Sequence, residues 1–285
     1  MTNTKKDIHW FPGHMAKTIK ELKQKINGID IIIECLDARI PLASRNPVID
    51  ELIGDKQSHI IALTKSDLAD PAQTKAWVDY FKTKADYSLA LVIPQHKGIK
   101  QLLNLCNQIA DKKRQNKRFH ISKILVCGIP NVGKSALINR CASKAVAKVQ
   151  NKPGVTKQTR GILLSQYLEI IDSPGLLWPK LEQETVAIRL ALCSAIKQTL
   201  LNDKDLSDWL LSYMLQHYKD KLNKRYQINC DKMTIDELTN CIADTFHFLE
   251  KKGEFDYPRT YRKIINDFTS DKFKQVSLES PLDIS

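Results

Sequence analysis

Residues 128–135 read GIPNVGKS, which fits the pattern G-x-x-x-x-G-K-[S/T] of a phosphate-binding loop. Its glycines allow backbone N–H groups to turn inward around phosphate oxygens. We expect Lys134 to reach the β- and γ-phosphates of a nucleotide, and the Ser135 hydroxyl to hold Mg²⁺. The apolar run 123–127 predicts a buried strand and residues 136–140 predict a helix. Strand, loop and helix are the setting that this motif requires.

Composition limits the class of protein. A chain of 285 residues with 42% hydrophobic content can form one sizeable α/β domain and a smaller one. Its seven cysteines include no C-x-x-C pair, which suits a reducing compartment better than a disulfide framework. The N-terminus lacks the apolar core of a signal peptide, and no apolar run approaches the length of a membrane span. We therefore expect a cytoplasmic protein without a membrane partner.

The net charge of +12 is unevenly distributed. Residues 97–160 contain 15 Lys and Arg but a single acid, Asp111. Such a block favours a polyanionic partner in addition to a nucleotide. RNA is the first candidate because basic clusters follow phosphate backbones, and no DNA partner is expected. An anionic membrane surface is less favoured, since no amphipathic helix with aromatic anchors accompanies the block.

A second motif, Thr64-Lys65-Ser66-Asp67, follows a predicted strand at 58–63 and is similar to the guanine-specificity motif of GTPases, usually Asn-Lys-x-Asp. The Asp67 carboxylate can accept from N1–H and the exocyclic amino group of guanine, and a bidentate base contact discriminates by about 1–3 kcal/mol. The Lys65 alkyl stem would cover one face of the base. Thr64 replaces the usual Asn and offers fewer hydrogen bonds. The alternative is a helix cap after a strand.

The segment after the next predicted strand, 89–93, differs from the pattern of GTPases. They usually carry Ser-Ala here, with backbone N–H groups touching the guanine oxygen. This chain has Ile93-Pro94, and Pro94 has no N–H to donate. Whether Ile93 and Pro94 contact guanine is left open. A helix is predicted at 99–110, and the run DKKRQNKR at 111–118 is interpreted as a charged connector.

Switch elements are predicted downstream of the phosphate loop. Residues 145–158 are polar and basic, and we expect a mobile switch whose Thr156 senses Mg²⁺ and the γ-phosphate, with Thr159 as the alternative. After predicted strands at 162–164 and 167–171, Asp172 should hold Mg²⁺ through water. The N–H of Gly175 should meet the γ-phosphate. A D-x-P-G turn is common elsewhere, so its position after a strand supports the assignment.

The order of these motifs predicts a circular permutation. Most GTPases carry the phosphate loop first and the guanine motif late, whereas here residues 64–67 precede 128–135. A permuted sheet is tolerated when the original termini lie close together. The predicted fold class is α/β: a circularly permuted P-loop GTPase domain at 1–178, with a mostly parallel sheet and helices on both faces, followed by a small all-α domain at 179–285.

The chain resembles, nearly end to end, the circularly permuted GTPases of ribosome assembly, and most closely their bacterial members. The resemblance rests on WFPGHMAK at 10–17, DARIPLASRNP at 37–47, TKSDL at 64–68, GIPNVGKSALINR at 128–140, KPGVT at 152–156 and DSPGLLWPK at 172–180. It implies hydrolysis of GTP, binding to late precursors of the large ribosomal subunit, release once GTP is spent, and an RNA-contacting C-terminal domain. The implied contacts to GTP or GDP come from Thr64, Lys65, Ser66, Asp67, Asn131, Val132, Gly133, Lys134, Ser135, Ala136, Thr156 and Gly175, and those to Mg²⁺ from Ser135, Thr156 and Asp172.

The sequence lacks the residue that small GTPases use to orient the attacking water. Small GTPases use a Gln just after D-x-x-G, where this chain has Leu176 and Leu177, and neither can orient water. The resemblance implies that His14 swings towards the γ-phosphate. His14 and Lys134 are the predicted catalytic residues. A His with a near-neutral pKa suits the alignment or polarisation of water. The alternative is that His14 caps a helix that apolar spacing predicts at 14–26.

Asn131 carries a prediction about a monovalent cation. In related potassium-activated GTPases an Asn at this place coordinates the cation beside the β/γ bridge. An amide oxygen suits K⁺, whose charge would replace a missing arginine finger. The alternative is an Asn that fills a turn.

Residues 179–285 are nearly neutral, and apolar spacing predicts helices at 182–200, 205–219, 234–250 and 258–268. Candidate RNA contacts are Lys251, Lys252, Arg259, Arg262 and Lys263, although a solvated helix face fits equally well. Two function classes remain: a GTPase switch in ribosome assembly and a GTP-dependent RNA-binding scaffold with negligible turnover. An ATPase is a distant third.

Overall fold

Short β-branched and apolar runs form the strands, as their composition predicts. The computed structural model describes residues 8–9, 26–116, 120–146, 161–173, 175, 180–181, 183–251 and 253–284. The strands are β1 (Ile8–His9), β2 (Ile31–Asp37), β3 (Ser58–Thr64), β4 (Tyr87–Ala90), β5 (Ser122–Gly128), β6 (Ile162–Ser165), β7 (Leu168–Asp172) and β8 (Lys180–Leu181).

Helices alternate with the strands and then occupy the C-terminal part alone. They are α1 (Pro47–Leu52), α2 (Pro71–Phe81), α3 (Ile99–Asn116), α4 (Lys134–Val146), α5 (Glu184–Leu192), α6 (Asp203–His217), α7 (Lys219–Tyr226), α8 (Ile235–Thr245) and α9 (Tyr257–Thr269), with 3₁₀ turns at Gln198–Leu200 and Pro281–Ile284. Asp70 begins α2 by accepting from the N–H groups of Ala72 and Gln73, and Thr234 and Glu237 form a capping box on α8.

The main sheet has the order β4-β3-β2-β5-β7-β6 among the described residues. Neighbouring strands from β4 to β7 are parallel, and β6 pairs antiparallel with β7. β1 and β8 form a separate antiparallel pair. The strand that carries the phosphate loop, β5, therefore lies inside the sheet, and the strand that carries the guanine motif, β3, lies two positions away.

Alternate residues of β2 enter different cores. Ile31 and Ile33 belong to the cluster that includes buried residues of α3, α4 and the C-terminal helices. Ile32 faces the opposite side and packs with Ile49 of α1, while Trp77 of α2 forms a further cluster on that side. Helices cover both faces of a mostly parallel sheet, as buried parallel strands require. The predicted fold class is confirmed.

The interpretation of the charged run at 111–118 as a connector is wrong for residues 111–116, because α3 continues through Asn116. Lys, Arg and Gln are good helix formers when packing does not decide. Basic residues in the last turn, here Lys113 and Arg114, also interact favourably with the helix dipole. Net charge alone therefore did not break the helix.

Other strands and helices end at residues different from those predicted, because tertiary contacts or local backbone geometry determine their ends. β4 ends at Ala90, because Val92 pairs with Lys97 across a tight turn instead of continuing along β3. Tyr218, whose φ of −142° is not helical, separates α6 from α7. The helix predicted at 234–250 ends at Thr245, since His247 has a φ of +51°.

The C-terminal part is packed against the sheet domain rather than standing apart from it. One cluster of buried apolar residues contains members from β2 and from α5 to α9. Residues 276–279 also return to the loops after β2 and β3 through hydrogen bonds. The boundary at 178 stays a prediction. No helix in the described part of the chain is long and apolar enough to cross a membrane.

Glu279 gives this packing a pH dependence. Burial raises the pKa of its carboxyl from 4.5 to about 7, against the lowering effect of Arg189 and of the N–H groups of Leu42 and Ala43. A raised folded-state pKa means that the stabilising contribution is present below pH 4.5 and is lost as the pH rises through about 7.

We therefore predict that the unfolding free energy of the wild-type protein, relative to that of Glu279→Gln, falls by roughly 3 kcal/mol at most between these pH values. Urea denaturation of both proteins across the range measures it. Parallel pH profiles for the two proteins would contradict the prediction.

Candidate functional site

The predicted nucleotide-binding residues lie at one edge of the sheet. In the parallel register Asp37 lies opposite Thr64, Cys35 opposite Gly128, and Val126 opposite Asp172. The carboxyl ends of β2, β3, β5 and β7 consequently meet there, where open α/β sheets bind ligands. The structure thus brings together two motifs that are more than sixty residues apart in the sequence.

The phosphate loop approaches β2 very closely. Gly128 has a φ of +142°, and a Cβ there would lie 2.4 Å from the carbonyl oxygen of Cys35. Any side chain at this position would push β2 and β5 apart. Asn131 and Gly133, with φ values of +56° and +106°, complete the turn before α4. The backbone path is the one that a loop folded around an anion needs.

Lys134 lies folded over its own loop. Its Nζ donates to the carbonyl oxygen of Ile129 at 2.8 Å and is buried. Burial lowers the pKa of the ammonium from 10.5, while Cys35 and Asp172 act in the opposite direction. A buried cation with one neutral acceptor is poorly compensated, so a phosphate at the loop would be a better partner.

Ser135 and Asp172 supply oxygen atoms suited to Mg²⁺. The Ser135 hydroxyl lies 3.5 Å from Oδ2 of Asp172, and both residues are exposed at the sheet edge. Magnesium is bound through one or two protein oxygens together with phosphate and water. These two residues fit that requirement and would hold the ion.

Gly175 lies against the phosphate loop. A Cβ at Gly175 would be 3.0 Å from the backbone N and Cα of Pro130. This close approach places the backbone after β7 beside the loop, as the predicted contact with a γ-phosphate requires. Val132, which follows in the loop, is buried, whereas Ala136 in the first turn of α4 is exposed.

Thr64 joins the two motifs directly. Its fully buried hydroxyl lies 2.6 Å from the carbonyl oxygen of Val132 in the phosphate loop and 3.0 Å from that of Leu36 in β2. The single hydroxyl proton can be donated to one of these carbonyls at a time. The structure therefore gives Thr64 backbone partners within the protein. The Thr64 hydroxyl, at the position of the usual Asn, therefore connects the guanine motif to the phosphate loop.

Lys65 is held by Asp37, an acid at the carboxyl end of β2 that was given no role in the sequence analysis. The Nζ of Lys65 lies 2.9 Å from Oδ2 of Asp37. Asp37 also accepts from Nε and Nη2 of Arg39 at 2.9 and 2.8 Å. Burial alone would raise the pKa of Asp37, but Arg39 and Lys65 hold it well below its usual range. The signal in the sequence was a carboxylate at the end of β2.

Asp67 is half-buried at the entrance to this network. Ser66 donates its N–H to the carbonyl oxygen of Leu91 at 3.3 Å, and Leu68 donates to that of Lys65 at 2.9 Å. These two bonds fix the turn that presents Asp67. Asp271 from the C-terminal part lies near enough that Asp67 adds to burial in raising its pKa.

Asn131 contacts the C-terminal part at the phosphate end of the site. Its Nδ2 donates to the carbonyl oxygen of Ser194 at 2.7 Å. Ser194 follows α5 and has a φ of +61°. Sequence reasoning missed this contact, because nothing in the local pattern at Ser194 indicates a partner in the loop. The bond fixes the orientation of the Asn131 amide and leaves its oxygen for another ligand.

Several predicted residues lie outside the described part of the chain. They are His14, Thr156, Thr159, Leu176, Leu177 and Lys252. Their assignments remain predictions.

Three of the four remaining basic candidates in the C-terminal part have partners within the fold. Arg259 lies over the ring of Phe248, with 4.3 Å to its centroid. Lys263 donates to Asp267 at 2.6 and 2.7 Å, so its charge is locally compensated. Arg262 donates to the carbonyl oxygen of Pro258 at 3.0 Å, and Lys251 is exposed.

The fold and the arrangement of its motifs define a circularly permuted P-loop GTPase. Residues 123–235 match the family model described as a 50S ribosome-binding GTPase. The chain belongs to the ribosome biogenesis GTPase A family, since it is 40% identical over 280 residues to the Priestia megaterium protein, with coverage of 96% of this chain and 97% of that protein.

Further comparisons agree. Ribosome biogenesis GTPase A of Bacillus cereus is 38% identical over 279 residues, covering 96% of this chain and 94% of that one. Mitochondrial ribosome-associated GTPase 1 of Xenopus tropicalis is 32% identical over 249 residues, covering 82% and 79%. The fold is also similar to GDP-bound TM YlqF and to GNP-bound YlqF from T. maritima, both 24% identical. The TM-scores are 0.65 and 0.61, with coverage of 92% and 93% of this chain and 100% and 98% of those chains.

We predict that Thr64→Val weakens GDP binding and lowers the unfolding free energy by about 1–3 kcal/mol, because it leaves the carbonyl of Val132 buried without its donor. Thr64→Ser is the matched control, since it keeps the hydroxyl. Fluorescent GDP titration and thermal melting measure the two effects. Equal GDP affinity in the Val and Ser variants would contradict a role for this hydrogen bond in the site.

Proposed function

We propose that the protein is a cytoplasmic GTP-binding and GTP-hydrolysing switch in late assembly of the large ribosomal subunit. It associates with the precursor in the GTP state and is released after hydrolysis. The observation that carries the proposal is the contact of Thr64 with Val132, which sets a guanine motif against a phosphate loop. Membership of the ribosome biogenesis GTPase A family supports GTP hydrolysis and a role in ribosome assembly.

Each group at the sheet edge has a part in this proposal. Asp67 selects guanine, and the stem of Lys65 covers the base while Asp37 holds its ammonium. Lys134 compensates charge on the β- and γ-phosphates, and the N–H of Gly175 meets the γ-phosphate. Ser135 and Asp172, together with Thr156, would hold Mg²⁺, which supplies charge neutralisation at the phosphoryl oxygens when bound.

Basic residues of the 97–160 block support an RNA partner. Lys97, Lys100 and Lys112 are exposed. Lys113 is used within the fold, where it lies 3.3 Å from Asp30, and Arg114 lies 4.2 Å from the centroid of the Tyr167 ring. Within the described part of this block, these three lysines and the exposed Lys123 are available to ribosomal RNA of the precursor.

A scaffold with negligible turnover is the second candidate function. Leu176 and Leu177 stand where small GTPases carry a water-orienting Gln, and this favours slow intrinsic hydrolysis. In the switch proposal His14 supplies the missing group. Single-turnover hydrolysis of GTP with and without purified large subunits separates the two candidates.

For that experiment we predict stimulation of the wild-type protein by large subunits and a loss of about 100-fold of the stimulated rate in His14→Ala, as expected when a general acid–base group is removed. GTP affinity should be unchanged in the variant. Co-sedimentation with large subunits in the presence of a non-hydrolysable GTP analogue tests association. Unstimulated turnover favours the scaffold, and an unaffected variant removes His14 from the mechanism.

The proposed K⁺ site at Asn131 gives a separate prediction. Because the Nδ2 of Asn131 is bonded to Ser194, its Oδ1 is available to a cation beside the nucleotide. Replacing KCl with NaCl at fixed ionic strength should slow hydrolysis severalfold, with GDP affinity as the control measurement. Identical rates in the two salts would argue against the site.

A further inference from the structure

Residues 276–279, which we call the C-terminal strap, lie along the loop that carries the guanine motif. Val276 donates its N–H to the carbonyl oxygen of Leu68 at 3.0 Å. Asp70 donates its N–H to Oγ of Ser277 at 3.1 Å. All four strap residues are buried. The strap therefore replaces solvent along the backbone that immediately follows Asp67.

The same strap holds the turn after β2. Leu278 donates its N–H to the carbonyl oxygen of Arg39 at 2.8 Å. The carboxylate of Glu279 accepts from the N–H of Leu42 at 2.7 Å and from that of Ala43 at 2.9 Å. A buried carboxylate that accepts two backbone N–H groups fixes their direction, because either group left unpaired would be costly.

From this turn the connection continues to the guanine motif. The hydroxyl oxygen of Ser44 accepts the N–H of Asp37 at 3.0 Å. Asp37 in turn holds Arg39 through two hydrogen bonds and Lys65 through an ion pair at 2.9 Å. Glu279 is thus linked to Lys65 through the turn that contains Leu42, Ala43 and Ser44, and then through Asp37.

The strap is also held from the C-terminal helices. Ser277 donates its N–H to the hydroxyl of Tyr218 at 3.3 Å, and Lys221 of α7 donates to the carbonyl oxygen of Gln275 at 3.0 Å. Lys274 and Gln275 both have φ values of +52°. Such backbone persists in non-glycine residues only where surrounding contacts enforce it. The position of the strap is therefore determined by the helices that precede it.

We propose that the C-terminal strap positions the guanine motif, with Glu279 as the positioning residue, and so makes guanine-nucleotide affinity depend on the contacts by which Tyr218 and Lys221 hold the strap. The inference rests on the proposed guanine site at Lys65 and Asp67. Because linkage is reciprocal, bound nucleotide stabilises the strap to the same extent that the strap strengthens nucleotide binding. A displacement of Tyr218 or of α7 would then be transmitted through the strap to the base end of the nucleotide.

Affinity for fluorescent GDP tests the inference in the full chain. Glu279→Ala should weaken binding about tenfold, a typical size for coupling between sites, and Glu279→Gln should recover most of the loss because it keeps an acceptor oxygen. The matched control is Glu237→Ala. It removes a carboxylate that accepts the N–H of Thr234 at 2.8 Å in the α8 capping box, away from the strap, and should leave affinity within about twofold.

A double variant tests the route. If the effect of Glu279 runs through Asp37, then Asp37→Asn combined with Glu279→Ala should bind GDP no more weakly than Asp37→Asn alone. Additive losses would overturn the proposed connection. So would unchanged affinity in folded Glu279→Ala, or an equal loss in Glu237→Ala. If the wild-type protein fails to bind GDP, the proposed guanine site itself is wrong.

Hydrogen exchange of the wild-type protein keeps the inference testable if Glu279→Ala does not fold. GDP should slow exchange in the strap and in residues 39–44, and leave α8 unchanged as the internal reference. Unaltered exchange of the strap on GDP binding would overturn the inference, provided that GDP binding is detected in the same sample.

Discussion

The buried hydroxyl of Thr64 makes the contact on which the proposed nucleotide site depends. It touches the carbonyl oxygens of Val132 and Leu36 and so joins three consecutive strand ends through one oxygen atom. An apolar side chain at this position would leave a buried carbonyl without a donor. The guanine motif and the phosphate loop consequently keep a fixed separation, which is what a nucleotide that contacts both at once requires.

The fold and the motif positions could be predicted because they depend on local patterns. Adjacent residues predict the strand, loop and helix at 123–140, because an apolar run precedes Gly128 and Gly-Lys-Ser ends the phosphate loop. Parallel pairing of the strands then brings Asp37, Thr64 and Asp172 to one edge of the sheet. The partner of Lys65 and the partners of Glu279 could not be predicted, since they are distant in sequence and no local periodicity reports them. The charged end of α3 was misjudged because charge was read as a break, although its residues favour helix.

The buried charges at the phosphate end and at the base end of the proposed site differ in how they are compensated. At the phosphate end Lys134 is buried with a carbonyl as its partner, and its pKa is lowered by that burial, so it is poised for an anion. At the base end Asp37 is compensated by two cations and its pKa is depressed. Breaking such a buried pair is costly because it leaves an isolated charge. In the proposed site the base end is therefore held by ion pairs within the protein, whereas the Lys134 ammonium at the phosphate end has a neutral carbonyl as its partner.

The hydrogen bonds of Val276 and Leu278 to Leu68 and Arg39 also have a consequence for biosynthesis. Translation delivers the chain from its N-terminus, and domains generally fold as they emerge. Both nucleotide-binding motifs leave the exit tunnel well before residues 276–279 do. A nascent chain therefore carries the sheet and the phosphate loop before the strap can contact them. On the proposed role of the strap, tight nucleotide capture is deferred until residues 276–279 have left the exit tunnel.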